Sequence, residues 1–260
     1  RSLIIPRKNH KFIIADFSQI EPRVLLYTVK DEDQLQLIRD GYAVYEAHAR
    51  SSMGWTGGNL KDENPDLYRL AKARVLGLGY GCQPEKFQQV AKTMLGIELD
   101  KDQAAQTVKD FEAANPKIRN LWKYFERNLW NYFNRAKQPV VDLPSGRQLK
   151  YYDVRRIGRR LVGKTSMDAS YERNLWYGLL TENYISAVAR DIFADKLLKL
   201  ESAGYKVVLH AHDEFVVEVP ELKAKECQAE IEKIMIADDI EWMPKIPLAV
   251  ESEIASCYKK

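Results

Sequence analysis

The stretch VVLHAHDEFVVEVP, residues 207–220, sets His210, His212, Asp213 and Glu214 within five positions of a largely apolar run. Alternation along a strand would put the two histidines on one face, a spacing that some zinc sites use. A zinc shell would then have to be completed by scattered carboxylates, because only His10 and His48 remain, in neither an HxxxH nor an HExxH frame. A plainer possibility is a hairpin whose polar tip meets water. A third is that the valine-rich strands hold Asp213 and Glu214 rigidly at a tight turn, where a carboxylate loses little entropy on binding a cation. This third possibility calls for a second fixed carboxylate, and KFIIADF, residues 11–17, contains one. Asp16 ends a buried-strand pattern, where a charge is costly unless paired or bound to metal. Two aspartates at neighbouring strand ends suit a pair of Mg²⁺ ions about 3.5–4 Å apart, an arrangement that serves phosphoryl transfer. Magnesium takes few protein carboxylates and completes its shell with water and phosphate.

Phosphate chemistry also needs a cation, and NPDLYRLAKARVLGLGYG, residues 64–81, offers one. Asn64 is a good N-cap and Pro65 suits a first turn, so a helix is predicted to begin here. Tyr68, Lys72, Leu76 and Tyr80 fall four apart, giving a slowly winding stripe roughly 18 Å long with Arg69 beside it. Gly77, Gly79 and Gly81 each cost a helix about 1 kcal/mol relative to alanine, which suits a place where something approaches the backbone closely. A solvated face over a packed one gives the same pattern.

The elements that must position these groups are legible in outline. A strand at 11–17 leads into a helix from Gln19 to about Val29. The middle, 31–165, is rich in Ala, Leu, Lys, Arg, Gln and Glu with Gly and Pro punctuation, and reads as a helical subdomain. Within it, residues 137–152 hold two extended runs around Pro144, Ser145 and Gly146, a hairpin signal. A long helix from Glu182 to Leu200 precedes the strands KVVLHA and FVVEVP. An amphipathic helix bearing Leu222, Cys227, Ile231, Ile234 and Met235 follows, then a final strand in KIPLAVESEI. Strands at both ends of a helical middle predict an α+β fold, a sheet domain interrupted by a helical insertion.

Composition narrows the class. With 40 Lys and Arg against 37 Asp and Glu, the net charge of +3 neither demands nor excludes a polyanionic partner. Three scattered cysteines form neither a CxxC pair nor a disulfide framework, which fits a reducing cytoplasm. No apolar run reaches the roughly 18 residues of a membrane span.

ADFSQIEPR (15–23), RLAKARVLGLGYG (69–81) and HDE (212–214), in this order and at these separations, resemble the A, B and C motifs of family A DNA polymerases, the bacterial DNA polymerase I family. The likeness extends over essentially the whole chain. It implies a right-hand polymerase palm, an antiparallel sheet with helices, interrupted by a helical fingers subdomain. Residues 1–30 would be palm with motif A, 31–165 fingers with motif B at 65–81, and 166–260 palm with motif C at 210–216. Because Arg1 lies only about fifteen residues before motif A, the thumb and any exonuclease domain are expected upstream, outside this chain. The TEN and EAHAR sequences fit a phage or prophage member, and the setting would be a bacterial or infected-host cytoplasm.

Roles follow where residues match. The resemblance makes Asp16 and Asp213 the metal-binding carboxylates for two Mg²⁺ ions, with Mn²⁺ as a substitute, the Phe17 carbonyl as a further ligand and Glu214 close by. Lys72 would hold the dNTP triphosphate, and Tyr80 would pack near the sugar and templating base. Glu21 would bar a ribose 2′-OH, Gln19 would sit near the nascent pair and His212 near the primer terminus. Four positions depart from the family pattern: Tyr68 replaces an arginine, with Arg69 as its stand-in. Tyr45 replaces a histidine, Leu76 an aromatic residue, and Ser186 a glutamine that reads the minor groove. The implied partners are primer-template DNA and dNTPs, with basic stretches such as RRIGRRLVGK (155–164) gripping phosphates. A single-subunit RNA polymerase shares a related palm and lysine helix, but Glu21 and Glu214 argue against it. A non-catalytic DNA-binding fragment is the rival from another class.

Overall fold

The computed structural model describes residues 2–135 and 139–258. In chain order the elements are β1 (His10–Phe17), α1 (Ile20–Thr28), α2 (Glu32–Arg39), α3 (Val44–Ser52), α4 (Leu60–Glu63) and α5 (Pro65–Ala73), which runs into a π-helical segment (Arg74–Leu78). There follow α6 (Pro84–Leu95), α7 (Lys101–Ala114), α8 (Pro116–Arg135), β2 (Val140–Asp142), β3 (Gln148–Lys150), β4 (Tyr152–Ile157), β5 (Arg160–Lys164) and β6 (Arg173–Leu175). The chain closes with α9 (Tyr177–Ser202), β7 (Lys206–Ala211), β8 (Glu214–Pro220), α10 (Ala224–Ile236) and β9 (Val250–Ala255). By internal contacts it divides into two units, Arg1–Arg23 with Val188–Lys260, and Val24–Ala187. These boundaries fall inside α1 and α9, whereas the motif-based division cuts at 30/31 and 165/166.

The first unit is built on an antiparallel sheet of order β7-β8-β1-β9. β1 is its central strand and reads as an almost continuous apolar run because both faces are covered. Ile13, Ala15 and Phe17 share a face with Phe215 and Val217, and Phe193 of α9 stacks on Phe215 at 4.0 Å between ring centroids. The opposite face carries Phe12, Ile14 and Val216 with Ala255 and Tyr258, and it is this face that ends in Asp16. α10 packs on the sheet through the fully buried Ile231 and Met235. Leu222, expected on that helix's apolar stripe, is instead fully exposed in a 3₁₀ turn at Glu221–Lys223, because α10 begins only at Ala224. β9 pairs from Val250, later than KIPLAVESEI suggests, since Pro247 has no N–H to give a ladder.

The second unit holds α2–α8, the β2–β3 hairpin and the β4-β5-β6 sheet. One apolar cluster gathers Leu26, Leu35, Ile38, Val44, Tyr45, Leu60 and Val75; a second gathers Phe125, Tyr151, Leu161, Leu175, Leu179 and Leu180. The hairpin expected around Pro144 to Gly146 is present, and its residues 137 and 138 lie outside the described residues. The helical reading of 31–165 fails at its end: residues 152–164 form two strands, not helix or loop. Ile157 pairs with Arg160 across the two-residue turn Gly158-Arg159, and Gly158 takes the positive φ of 60° that such a turn requires. Three arginines among the paired positions, Arg155, Arg156 and Arg160, hide the alternation that would have disclosed these strands.

Candidate functional site

In the first unit, sheet register brings the two aspartates to one end of the sheet. Asp16 stands opposite Glu214 on β8 and opposite Glu251 on β9. The Phe17 N–H donates to the Asp213 carbonyl at 3.1 Å, so the two motifs are joined by a backbone hydrogen bond. Acids directly across a ladder repel, and here neutral donors hold two of them: Tyr258 OH donates to Glu214 at 2.7 Å and Ser18 OH to Glu251 at 3.0 Å. Glu214 is buried and turned to Tyr258, while Asp213 is half-buried and His212 exposed at the tip. Two non-glycine residues with positive φ flank the aspartates: Gln19 (φ 55°) after Asp16 and His212 (φ 54°) before Asp213. Such conformations cost about 1 kcal/mol or more and persist where the surroundings fix them, often at functional sites. Gln19 adds a buried Oε1 with no hydrogen-bond partner among the described residues. Glu21 lies half-buried in the first turn of α1, where the helix dipole favours an acid.

Sequence reasoning missed the residue that ties this corner down. Arg23 is buried, and its Nε donates to the Ser18 carbonyl at 2.8 Å and its Nη1 to the Pro247 carbonyl at 2.7 Å. Burial pushes its guanidinium down to about 10. Arg23 thereby joins the turn after Asp16 to the approach of β9, where the Ser18 N–H also meets the Ala249 carbonyl. The only signal in the sequence is an arginine one helical turn after Gln19.

The donors at this sheet end are hard oxygens from two aspartates and a backbone carbonyl, a set that suits Mg²⁺ with water and phosphate completing its shell. Among the described residues no group of three or more His, Cys, Asp or Glu side chains is arranged to hold a metal, so the zinc possibility finds no shell. His210 instead sets its ring edge against Phe193 at 5.5 Å.

In the second unit the predicted helix forms as its caps dictate: the Asn64 side chain accepts from the Leu67 N–H, and Pro65 opens α5. Lys72 has no carboxylate partner among the described residues; its ammonium lies 5.9 Å from the centre of the Tyr45 ring. Tyr45 in turn meets Tyr68 edge to face at 5.8 Å. Burial, with Tyr68 nearby, pushes the Tyr45 phenol up to about 12. The structure thus brings together Tyr45, Tyr68 and Lys72, and it does not add Arg69, which is exposed and ion-paired with Asp66 one turn earlier. Leu76 packs on the same apolar cluster as Tyr45.

After Ala73 the helix widens into the π segment, a distortion frequent at functional sites. What approaches Gly81 closely is the protein itself: Gly81 has φ 74°, and a Cβ there would fall 2.4 Å from the Tyr177 ring. The π segment also buries Arg74 beside His48 and Phe111. Burial, reinforced by Arg74, holds the His48 imidazole down at about 3, so it is neutral. Ser186 lies exposed on α9.

The family model of DNA polymerase family A matches residues 1–159. The chain belongs to DNA polymerase family A. It is 30% identical over its whole length to the DNA polymerase of Bacillus phage SP02, of which it covers 43%. It is 27% identical, again over its whole length, to DNA polymerase I of Aquifex aeolicus, of which it covers 41%. The chain therefore spans less than half the length of these family A relatives. Among solved structures it resembles the POL domain of Pol1 from M. smegmatis in complex with DNA primer-template and dNTP. The TM-score is 0.68 and the identity 19%, over 99% of this chain and 41% of that one, a likeness of fold. Among the described residues no helix is long and apolar enough to cross a membrane.

Proposed function

We propose that this chain is the palm and fingers portion of a template-directed DNA polymerase, transferring a nucleotidyl group from a dNTP to a primer 3′-OH. The observation that carries the proposal is the union of Asp16 and Asp213 at one register-fixed sheet end in a family A chain. The unit with the sheet serves as palm and the helical unit as fingers; the thumb belongs to the greater length of the relatives. Asp16 and Asp213, with the Phe17 carbonyl, would hold two Mg²⁺ ions, or Mn²⁺ in their place. When bound, these ions acidify the attacking hydroxyl and offset charge on the leaving pyrophosphate. Glu214, buried against Tyr258, braces the strand end beside them.

Lys72 meets the triphosphate as a point charge, with Tyr45 beneath it. Arg69 reaches the same phosphates by releasing Asp66. Tyr80 packs on the sugar and templating base, Leu76 beside it, Glu21 bars the ribose 2′-OH, and Gln19 faces the nascent pair. His212 adjoins the primer terminus and Ser186 the DNA minor groove. The M. smegmatis protein binds primer-template and dNTP, which supports the same partners here.

Primer extension with Mg²⁺ tests this. We expect products that follow the template when dNTPs are supplied, little incorporation of ribonucleotides, and more of it in Glu21→Ala. Equal use of both nucleotide types by the unaltered chain would instead point to an RNA polymerase, and DNA binding without extension to a binding fragment.

A further inference from the structure

The sheet end carries more carboxylates than the proposed metal roles use. Glu214 on β8 and Glu251 on β9 each stand directly across a ladder from Asp16. Residues so opposed share a face of the sheet, with Cβ atoms about 5 Å apart. Glu251 is exposed and accepts from Ser18 OH, so water reaches it. Glu214 is different: it follows Asp213 in the chain, and its extra methylene gives its carboxylate two places to go, forward to the sheet end or back over the face. In the structure it turns back. Its Oε1 accepts from Tyr258 OH at 2.7 Å, and the two residues are only 2% and 3% exposed.

The phenol that holds it is itself fixed. Tyr258 lies just past β9, packs in the apolar cluster of Phe12, Ile14, Val216 and Ala255, and donates its backbone N–H to the Ile4 carbonyl at 2.9 Å. A buried tyrosine hydroxyl needs a partner, and here that partner is the one acid able to swing towards the aspartates. The number of carboxylates in a shell matters to the cation. Mg²⁺ takes one or two and fills an octahedron with water and phosphate, whereas Ca²⁺ accepts six to eight oxygens, bidentate carboxylates among them. A third carboxylate would tighten divalent binding and favour the larger ion.

We propose that the Tyr258 hydroxyl is a positioning group that keeps Glu214 out of the metal shell, so that Asp16 and Asp213 supply its carboxylates and the site stays suited to Mg²⁺ over Ca²⁺. The inference rests on the polymerase reading for the presence of metal at the two aspartates.

The test is Mn²⁺ binding to the whole chain, followed by the electron paramagnetic resonance of the free ion, with Mg²⁺ and Ca²⁺ as competitors. Tyr258→Phe keeps the ring and removes only the hydroxyl. It should bind Mn²⁺ about tenfold more tightly, and in competition it should gain more for Ca²⁺ than for Mg²⁺. Glu214→Gln alone should bind Mn²⁺ as the unaltered chain does, and added to Tyr258→Phe it should return the affinity to that value. Misfolding gives neither the gain nor its reversal. Unchanged or weaker binding in Tyr258→Phe, or a gain that survives Glu214→Gln, overturns the inference. So does weaker binding in Glu214→Gln alone, which would make Glu214 a ligand already. Mn²⁺ binding that Asp213→Asn abolishes and Tyr258→Phe leaves unchanged keeps the polymerase reading and removes the role of Tyr258. Binding indifferent to both Asp16→Asn and Asp213→Asn removes that reading and the inference with it.

Discussion

The two groups of candidate residues, one within each unit, are fixed by different physics. In the sheet unit, position comes from register: Asp16 can stand nowhere but opposite Glu214 and Glu251, and a slip of one residue would turn it to the other face. In the helical unit, position comes from caps and aromatic packing: Asn64 starts α5, and Tyr45 with Tyr68 beds Lys72. A register is all-or-none, whereas a packed bed yields by degrees. Substitutions at the sheet end should therefore abolish chemistry, and substitutions around Lys72 should scale affinity.

The largest effect away from the carboxylates should come from acid. His48, buried in the helical unit, has a folded pKa near 3 against an unfolded value near 6.5. Its pKa is depressed on folding, so as pH falls from about 6.5 to 3 the unfolded chain takes up a proton that the folded chain refuses. Stability is then lost by about 5 kcal/mol at the limit. Urea unfolding across that pH range should show the loss, and His48→Gln should flatten it. If the pH dependence is the same in His48→Gln, the sensitivity lies in the carboxylates of the sheet unit instead.

Next comes Arg23, which ties down the sheet end. Arg23→Ala removes two hydrogen bonds from a buried cation and leaves two carbonyls to find water, and should cost about 3 kcal/mol of unfolding free energy. Primer extension should fall with it, because the turn after Asp16 loses its anchor. Full activity in a stably folded Arg23→Ala chain would show that the ladder alone fixes the carboxylate.

The bed of Lys72 should give graded answers. Lys72→Ala should raise the KM for dNTP by about thirtyfold, roughly the 2 kcal/mol expected for a charge-assisted contact to phosphate. Tyr45→Ala should raise it about threefold, in keeping with a modest cation–π contact, and Tyr45→Phe should leave it nearly unchanged. A Tyr45→Phe effect as large as that of Tyr45→Ala would mean the hydroxyl, not the ring, acts on the nucleotide.

The same contrast explains what the sequence disclosed. The strand bearing Asp16 and the hairpin around Asp213 were legible because the buried strands β1 and β8 carry long apolar runs, the edge strand β7 is apolar too though partly exposed, and a turn stands out between β7 and β8. α5 was legible because Asn64 and Pro65 are local signals. The β4–β5 strands were not, since Arg155, Arg156 and Arg160 occupy ladder positions that would otherwise alternate, leaving only Gly158 to mark the turn. Arg23 was missed because its partners, Ser18 and Pro247, offer backbone carbonyls, and one of them lies 224 residues away. The reason for Gly81 was invisible for a similar cause: Tyr177, which crowds it, comes from another helix.

The central claim is that Asp16 and Asp213 together carry nucleotidyl transfer, and single-nucleotide incorporation in Mg²⁺ tests it most directly. With circular dichroism unchanged, Asp16→Asn and Asp213→Asn should each lower the rate by about a thousandfold or more, the effect of losing several kcal/mol of charge stabilisation in the transition state. Incorporation at an undiminished rate in either variant would contradict it.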